Sequence, residues 1–179
     1  MGPRPIEVPG MWVVDEFLPD TRALFTLLTG TTAWDERMRA RKTASFGVPY
    51  NYSGITYPVA PVPEPVAALM DRLADRLGYR LNNCLANYYT DGESAMGFHS
   101  DSTDGLAPAT GIAIVSLGAE RSITFQAKAN KLHIAEFSLR SGSLLYMTAE
   151  VQNDWKHAIL PQRGATGRIS LTFRNVKCD

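Results

Sequence analysis

Two histidines and one aspartate carry the clearest chemistry in the sequence. His99 and Asp101 stand two apart in GFHSDS, and His157 follows much later in WKHAIL. In an extended segment, residues two apart point the same way, so the imidazole and the carboxylate can converge on one point. His157, from another strand, would complete a set of two imidazoles and one carboxylate. Such a facial triad leaves one face of an octahedral ion open, and nitrogen and oxygen ligands without thiolate suit Fe(II) better than structural zinc. His-x-Asp alone recurs by chance, so it needs support from elsewhere. The third histidine, His133 in KLHIAEF, has no acid two residues on and reads as structural or exposed.

That support comes from the last strand-like run, RISLTFR. Ile169, Leu171 and Phe173 share one face, while Arg168, Ser170, Thr172 and Arg174 share the other. If the apolar set meets a packing layer, two arginines face an interior, where unpaired cations are not tolerated. No acid interrupts the run, so the missing anion can be a ligand. A dicarboxylate fits, because each guanidinium grips a carboxylate with a forked pair of bonds. The alternative is a strand whose polar face is wet. Upstream, NNCLANYY alternates as well, placing Asn87 and Tyr89 on one face as an amide and a phenol that could donate to the same ligand; an edge strand with polar decoration is the other reading.

The elements needed to position these residues are legible in outline. The chain has 179 residues, 45% hydrophobic and 20% charged, which supports one packed domain and excludes wholesale disorder. No apolar run approaches the ~18 residues that cross a bilayer, and the first residues have no signal-like apolar core. Lys+Arg and Asp+Glu both number 18, so bulk charge does not indicate a nucleic-acid binder. Two cysteines, Cys84 and Cys178, form no framework and suit a reducing, cytoplasmic setting. The first ten residues, with three prolines, read as an extended arm. Asp20 can cap a helix carrying Leu24, Phe25, Leu27 and Leu28, with Gly30 just past its end. Residues 34–42 read weakly as a strand. A proline-rich connector leads to a helix with Val66, Leu69, Met70, Leu73 and Leu77 at helical spacing, closed by Gly78. After it, LNNCLANYY, GIAIVSL, RSITFQA, KLHIAEFSL, GSLLYM, WKHAIL and RISLTFR predict about seven strands separated by turns. The expected fold is mainly β, a jelly roll with N-terminal helices packed on one sheet. We expect a single domain over 1–179, with helices and a recognition segment in 1–80 and the β core in 81–175.

The order Asn87-x-Tyr89, His99-x-Asp101, His157, Arg168-x-Ser170-x-Thr172-x-Arg174 resembles the AlkB family of Fe(II)/2-oxoglutarate-dependent dioxygenases. SAMGFHSD, IVSLGAERSITF, SGSLLYM and WKHAILP agree with it, and the resemblance runs from about Thr43 to Arg174. It implies a double-stranded β-helix, with His99, Asp101 and His157 as iron ligands. It implies that Arg168 binds the distal carboxylate of 2-oxoglutarate, helped by Tyr89. Arg174 and Asn87 would hold the carboxylate nearer the metal, and Ser170 stands where the family often has asparagine. The implied reaction couples decarboxylation of the keto acid, with O2 as cosubstrate, to hydroxylation of an unactivated C–H bond. On an N-methyl group this gives a hemiaminal that collapses to formaldehyde and the amine.

The resemblance also implies a substrate, an N-alkylated base in single-stranded or flipped-out nucleic acid. Ser102 and Thr103 stand where nucleic-acid-repairing relatives usually continue with acids. Phe46, Tyr50 and Tyr52 offer stacking surfaces, with Ser102 beside them, and RMRARK at 37–42 supplies a local basic run that Lys128, Lys131 and Arg163 could extend. A solvated charged strand is the plain alternative for that run. A small-molecule hydroxylase on the same scaffold is the alternative activity, and a binding module without turnover the remaining one. The expected state is a monomer with no membrane contact.

Overall fold

The computed structural model describes residues 6–177. Cys178 and the first half of the N-terminal arm lie outside the described residues. The first half of the chain gives β1 (Met11–Val14), α1 (Arg22–Thr31), β2 (Lys42–Gly47), the hairpin β3 (Tyr50–Tyr52) and β4 (Ile55–Tyr57), and α2 (Glu64–Leu77). The second half is almost wholly strand: β5 (Asn83–Tyr89), β6 (Met96–His99), β7 (Ile112–Gly118), β8 (Arg121–Ala127), β9 (Ile134–Leu139) and β10 (Leu144–Met147). A single-turn helix α3 (Val151–Asp154) then precedes β11 (Trp155–Ile159) and β12 (Arg168–Arg174).

Six strands form a major sheet in the order β1-β10-β7-β12-β5-β2, and four form a minor sheet in the order β6-β11-β8-β9. The expected mainly-β jelly roll is therefore present. Period-2 alternation divides the major sheet's side chains between two apolar layers. Ala44, Phe46, Cys84, Ala86, Ile169, Leu171 and Phe173 pack under α1 and α2, where Leu28, Val66, Leu69 and Leu73 meet them. The opposite faces contribute Ile112, Ile114, Leu145 and Met147, which meet Ile123, Phe125 and Ile159 of the minor sheet. The N-terminal helices thus pack on one sheet, as expected. Among the described residues, no helix is long and apolar enough to cross a membrane.

Three local expectations are corrected. Gly30 lies inside α1, not past its end: the Thr29 and Thr31 hydroxyls donate to the carbonyls of Phe25 and Leu27, tightening the last turn, and Thr32 ends it. Asp20 is not the cap residue; Thr21 holds that place, and Asp20 accepts only a 3.3 Å bond from the Arg22 N–H. Residues 34–41 are not a strand. The Asp35 carboxylate captures the backbone N–H and guanidinium of Arg37, a local bond that competes with a ladder. Only an isolated bridge joins Asp35 to Thr43, and pairing proper begins at Lys42. The second helix ends as expected, with Gly78 at φ +80°, a left-handed position that glycine takes without steric cost.

Candidate functional site

A cavity opens between the two sheets, walled by β5 and β12 on one side and by β6, β8 and β11 on the other. Two of its walls come from the alternation noted in the sequence. All four polar residues of β12, Arg168, Ser170, Thr172 and Arg174, line it, opposite Asn87 and Tyr89 of β5. Ladder register explains the juxtaposition, since Arg168 pairs with Tyr89 and Ser170 with Asn87.

His99, Asp101 and His157 meet at the mouth, with their candidate ligating atoms all within 4.8 Å of one another. Antiparallel register puts His157 of β11 directly opposite His99 of β6, with ring centroids 4.4 Å apart. The Asp101 carboxylate lies between them, 3.5 Å from His99 Nε2 and 4.0 Å from His157 Nε2. The backbone N–H of Asp101 donates to Gln152 Oε1 at 2.9 Å, and the Ser100 hydroxyl to the Trp155 carbonyl at 2.8 Å. These bonds fasten the ligand segment to α3 and β11. His99 Nδ1 lies 2.8 Å from the Gly97 carbonyl; a proton on Nδ1 makes that bond and leaves the Nε2 lone pair toward the carboxylate. Burial pushes His157 down to about 4, so near pH 7 it is neutral and able to ligate. Burial alone would raise the Asp101 carboxyl, but Arg174 and the two histidines outweigh it and hold it below the usual carboxylate range.

The cavity holds more positive charge than its own acids neutralise. Arg168 and Arg174 are each 1% exposed. Arg168 donates to Ser116 Oγ at 2.9 Å, and its guanidinium carbon lies 5.2 Å from the Tyr89 ring centroid, yet its Nε and Nη1 find no partner. Burial lowers its pKa, with Tyr89 opposing the shift. Arg174 Nη2 reaches Asp101 at 3.3 Å and its guanidinium sits 4.7 Å over the Tyr50 ring, while its Nε and Nη1 are likewise unpartnered. Buried N–H groups of this kind cost free energy until an acceptor arrives.

The substrate-side expectations divide. Tyr52 lines the cavity and Tyr50 lies beside it under Arg174, at 6.5 Å from Tyr52 in a stacked arrangement. Phe46 does not join them. On β2, Thr43 and Ser45 share a face with their partners Asn87 and Leu85, so Phe46 falls on the other parity and packs in the helix-side core. Ser102 is exposed and outside the cavity wall. Two of the four cations in the basic run are paired, Arg37 with Asp35 and Lys42 with Glu36; Arg41 is buried and Arg39 is exposed. His133 is exposed. Two buried arginines were not singled out from the sequence. Arg121, fully buried, donates to the carbonyls of Asp91, Ser94 and Leu160 and stacks over Tyr89 from the side of β8. Arg41 was counted only as part of the basic run. Phe46→Ala should therefore lower unfolding stability by about 3–5 kcal/mol in a urea titration. A stacking role would instead leave stability unchanged and weaken substrate binding alone.

The sequence model of the 2OG-Fe(II) oxygenase superfamily matches residues 22–174. The DNA oxidative demethylase ALKBH2 of Mus musculus is 32% identical over 151 residues, covering 76% of this chain and 62% of its own. The alpha-ketoglutarate-dependent dioxygenase alkB homolog 3 of Rattus norvegicus is 30% identical over 166 residues, covering 82% and 56%. The chain thus spans less than two thirds of the length of these relatives. A solved structure, "The structure of OsALKBH1", superposes with a TM-score of 0.69 at 18% identity, covering 98% of this chain and all of its own, which is a likeness of fold. The chain belongs to the 2OG-Fe(II) oxygenase superfamily and, within it, to the AlkB family.

Proposed function

We propose that the protein oxidatively dealkylates N-alkylated nucleobases in DNA or RNA. His99, Asp101 and His157 would hold Fe(II), and Arg168, Tyr89, Asn87, Ser170 and Arg174 would hold 2-oxoglutarate. One observation carries the reading: two guanidiniums with unpartnered N–H groups are buried in the cavity that a two-histidine, one-carboxylate cluster overlooks. The donor set suits Fe(II), and the orphaned N–H groups suit a small dianion, so the residues fit both cofactors of the superfamily. When bound, these cofactors supply oxidation of an unactivated C–H bond by O2, with the keto acid leaving as succinate and CO2.

The chain's own residues bind and orient. Arg168 would take one carboxylate, and the guanidiniums of Arg121 and Arg168 both lie over the Tyr89 ring. Arg174 stands beside Asp101 and the second carboxylate position. Tyr50 and Tyr52 form an aromatic wall for a planar base. Hydroxylation of an N-methyl group gives N–CH2OH, whose C–N bond then breaks to release formaldehyde and return the proton to nitrogen. The names of the ALKBH2 relatives, DNA oxidative demethylases, support this substrate class. We further infer one catalytic domain, because the helix-side core draws residues from both halves of the chain. A monomer in a reducing cytoplasm suits the free, buried Cys84.

A second reading, a small-molecule hydroxylase, is favoured by the pairing of Arg37 and Lys42 and by the burial of Phe46. The two part in one assay. With Fe(II), 2-oxoglutarate and methylated single-stranded oligonucleotides, the nucleobase reading expects formaldehyde and the unmodified base. With two of the run's four cations paired to acids and Arg41 buried, binding should weaken only shallowly with salt, a slope of about one to three released counterions. Succinate formation that no methylated oligonucleotide stimulates assigns the small-molecule role instead.

A further inference from the structure

Arg41 sits where the two halves of the site meet, and the proposed binding of 2-oxoglutarate does not yet use it. It is nine-tenths buried just before β2. Its Nε donates to Asn87 Oδ1 at 2.8 Å, its Nη2 to the Tyr52 hydroxyl at 2.6 Å, and its Nη1 reaches the Ala95 carbonyl at 3.4 Å. One guanidinium therefore touches the cofactor-side strand β5, the hairpin strand β3 and the residue before β6, which carries His99. The backbone repeats the link, with the Ala95 N–H donating to the Ala40 carbonyl at 3.1 Å.

The direction of the first bond decides the rest. Arginine has donors only, so it must face the oxygen of the Asn87 amide and not its nitrogen. With Oδ1 turned to Arg41, the NH2 is left for the cavity that Asn87 lines. An amide free to flip would offer a carboxylate its oxygen half of the time, a repulsive contact. An amide fixed by Arg41 offers a donor. The same guanidinium holds Tyr52 at the mouth, both through the hydroxyl and at 5.7 Å from the ring centroid.

We propose that Arg41 is a positioning residue: it fixes the Asn87 amide as a donor to the keto-acid carboxylate and latches the β3–β4 hairpin over the same cavity. This rests on the reading that the cavity binds 2-oxoglutarate. The test is calorimetric titration of 2-oxoglutarate into Mn(II)-loaded protein, which binds without turnover. The expected result is a loss of about tenfold in affinity for Arg41→Met, with Mn(II) affinity held within twofold, and partial recovery in Arg41→Lys, which keeps one bond. Because the donor effect acts through Asn87, Arg41→Met should cost clearly less affinity in an Asn87→Ala background than in the wild type. Hydrogen exchange of amides 50–57 should also quicken in Arg41→Met. Wild-type affinity in Arg41→Met, or additive losses in the double variant, overturns the proposal. Wild-type protein that binds Mn(II) but no keto acid overturns the underlying reading, and the first titration reads that before any variant is made.

Discussion

Methionine in place of Arg168 should abolish measurable binding of 2-oxoglutarate while leaving the unliganded protein as stable as before, or more so. Both halves follow from the partners of this side chain. Arg168 is 1% exposed and uses one N–H on Ser116, leaving Nε and Nη1 without acceptors. A carboxylate that supplies two charge-assisted bonds is worth roughly 1.5–3 kcal/mol per bond, so their loss weakens binding by about 10²–10⁴-fold. In the empty protein the same cation is an uncompensated burial, and apolar replacement of such charges is often neutral or stabilising by about 1–4 kcal/mol. Calorimetry reads the first effect and urea unfolding of the metal-free protein reads the second. A destabilised variant that still binds the keto acid would make Arg168 a structural residue and remove the anion-site assignment. Arg168→Lys should fall between, because an ammonium cannot make the forked contact.

Alanine at His157 should cost metal affinity by more than about a hundredfold, beyond what loss of an outer-shell partner does. Burial keeps this imidazole neutral down to about pH 4, so near pH 7 an ion displaces no proton from it. Its Nδ1 is buried without a partner, and the ring lies tilted against Phe125 and His99 with the Asp101 carboxylate 4.0 Å from its Nε2. The variant should keep its far-ultraviolet circular dichroism, because β11 stays paired to β8 through Trp155, Lys156 and Ala158. Titration with Mn(II), read by the relaxation of bulk water, gives the affinity. Unchanged affinity in a folded variant would mean that the ion sits elsewhere.

Much of the site was legible because strand parity is a strict rule. The alternation in RISLTFR placed four polar side chains in the cavity and three apolar ones under the helices, and NNCLANYY did the same for Asn87 and Tyr89. Where parity was not applied, the reading failed. Arg41, Thr43 and Ser45 form one face of β2 and its approach, and Ala44 and Phe46 the other. Counting RMRARK as a basic run and Phe46 as a platform ignored that division. Arg121 was beyond reach for another reason. It is held by backbone carbonyls at 91, 94 and 160, whose meeting depends on tertiary structure. The strand β6 is only four residues long, too short to announce itself, though His99-x-Asp101 already required an extended segment there.

The partition of β12 bears on how this sequence can change over generations. Point substitutions on the two parities are nearly separate events: at Ser170 or Thr172 they reshape the ligand cavity, at Ile169 or Leu171 they disturb packing. Insertions and deletions have no such freedom. A single residue added between Arg168 and Arg174 inverts the parity of everything beyond it, driving Arg174 into the layer beneath the helices and Phe173 into the cavity. The same insertion in the exposed turn at 161–164 leaves the parity of β12 unchanged. Length variation among descendants of this chain should therefore gather in that turn and avoid the seven residues of the strand.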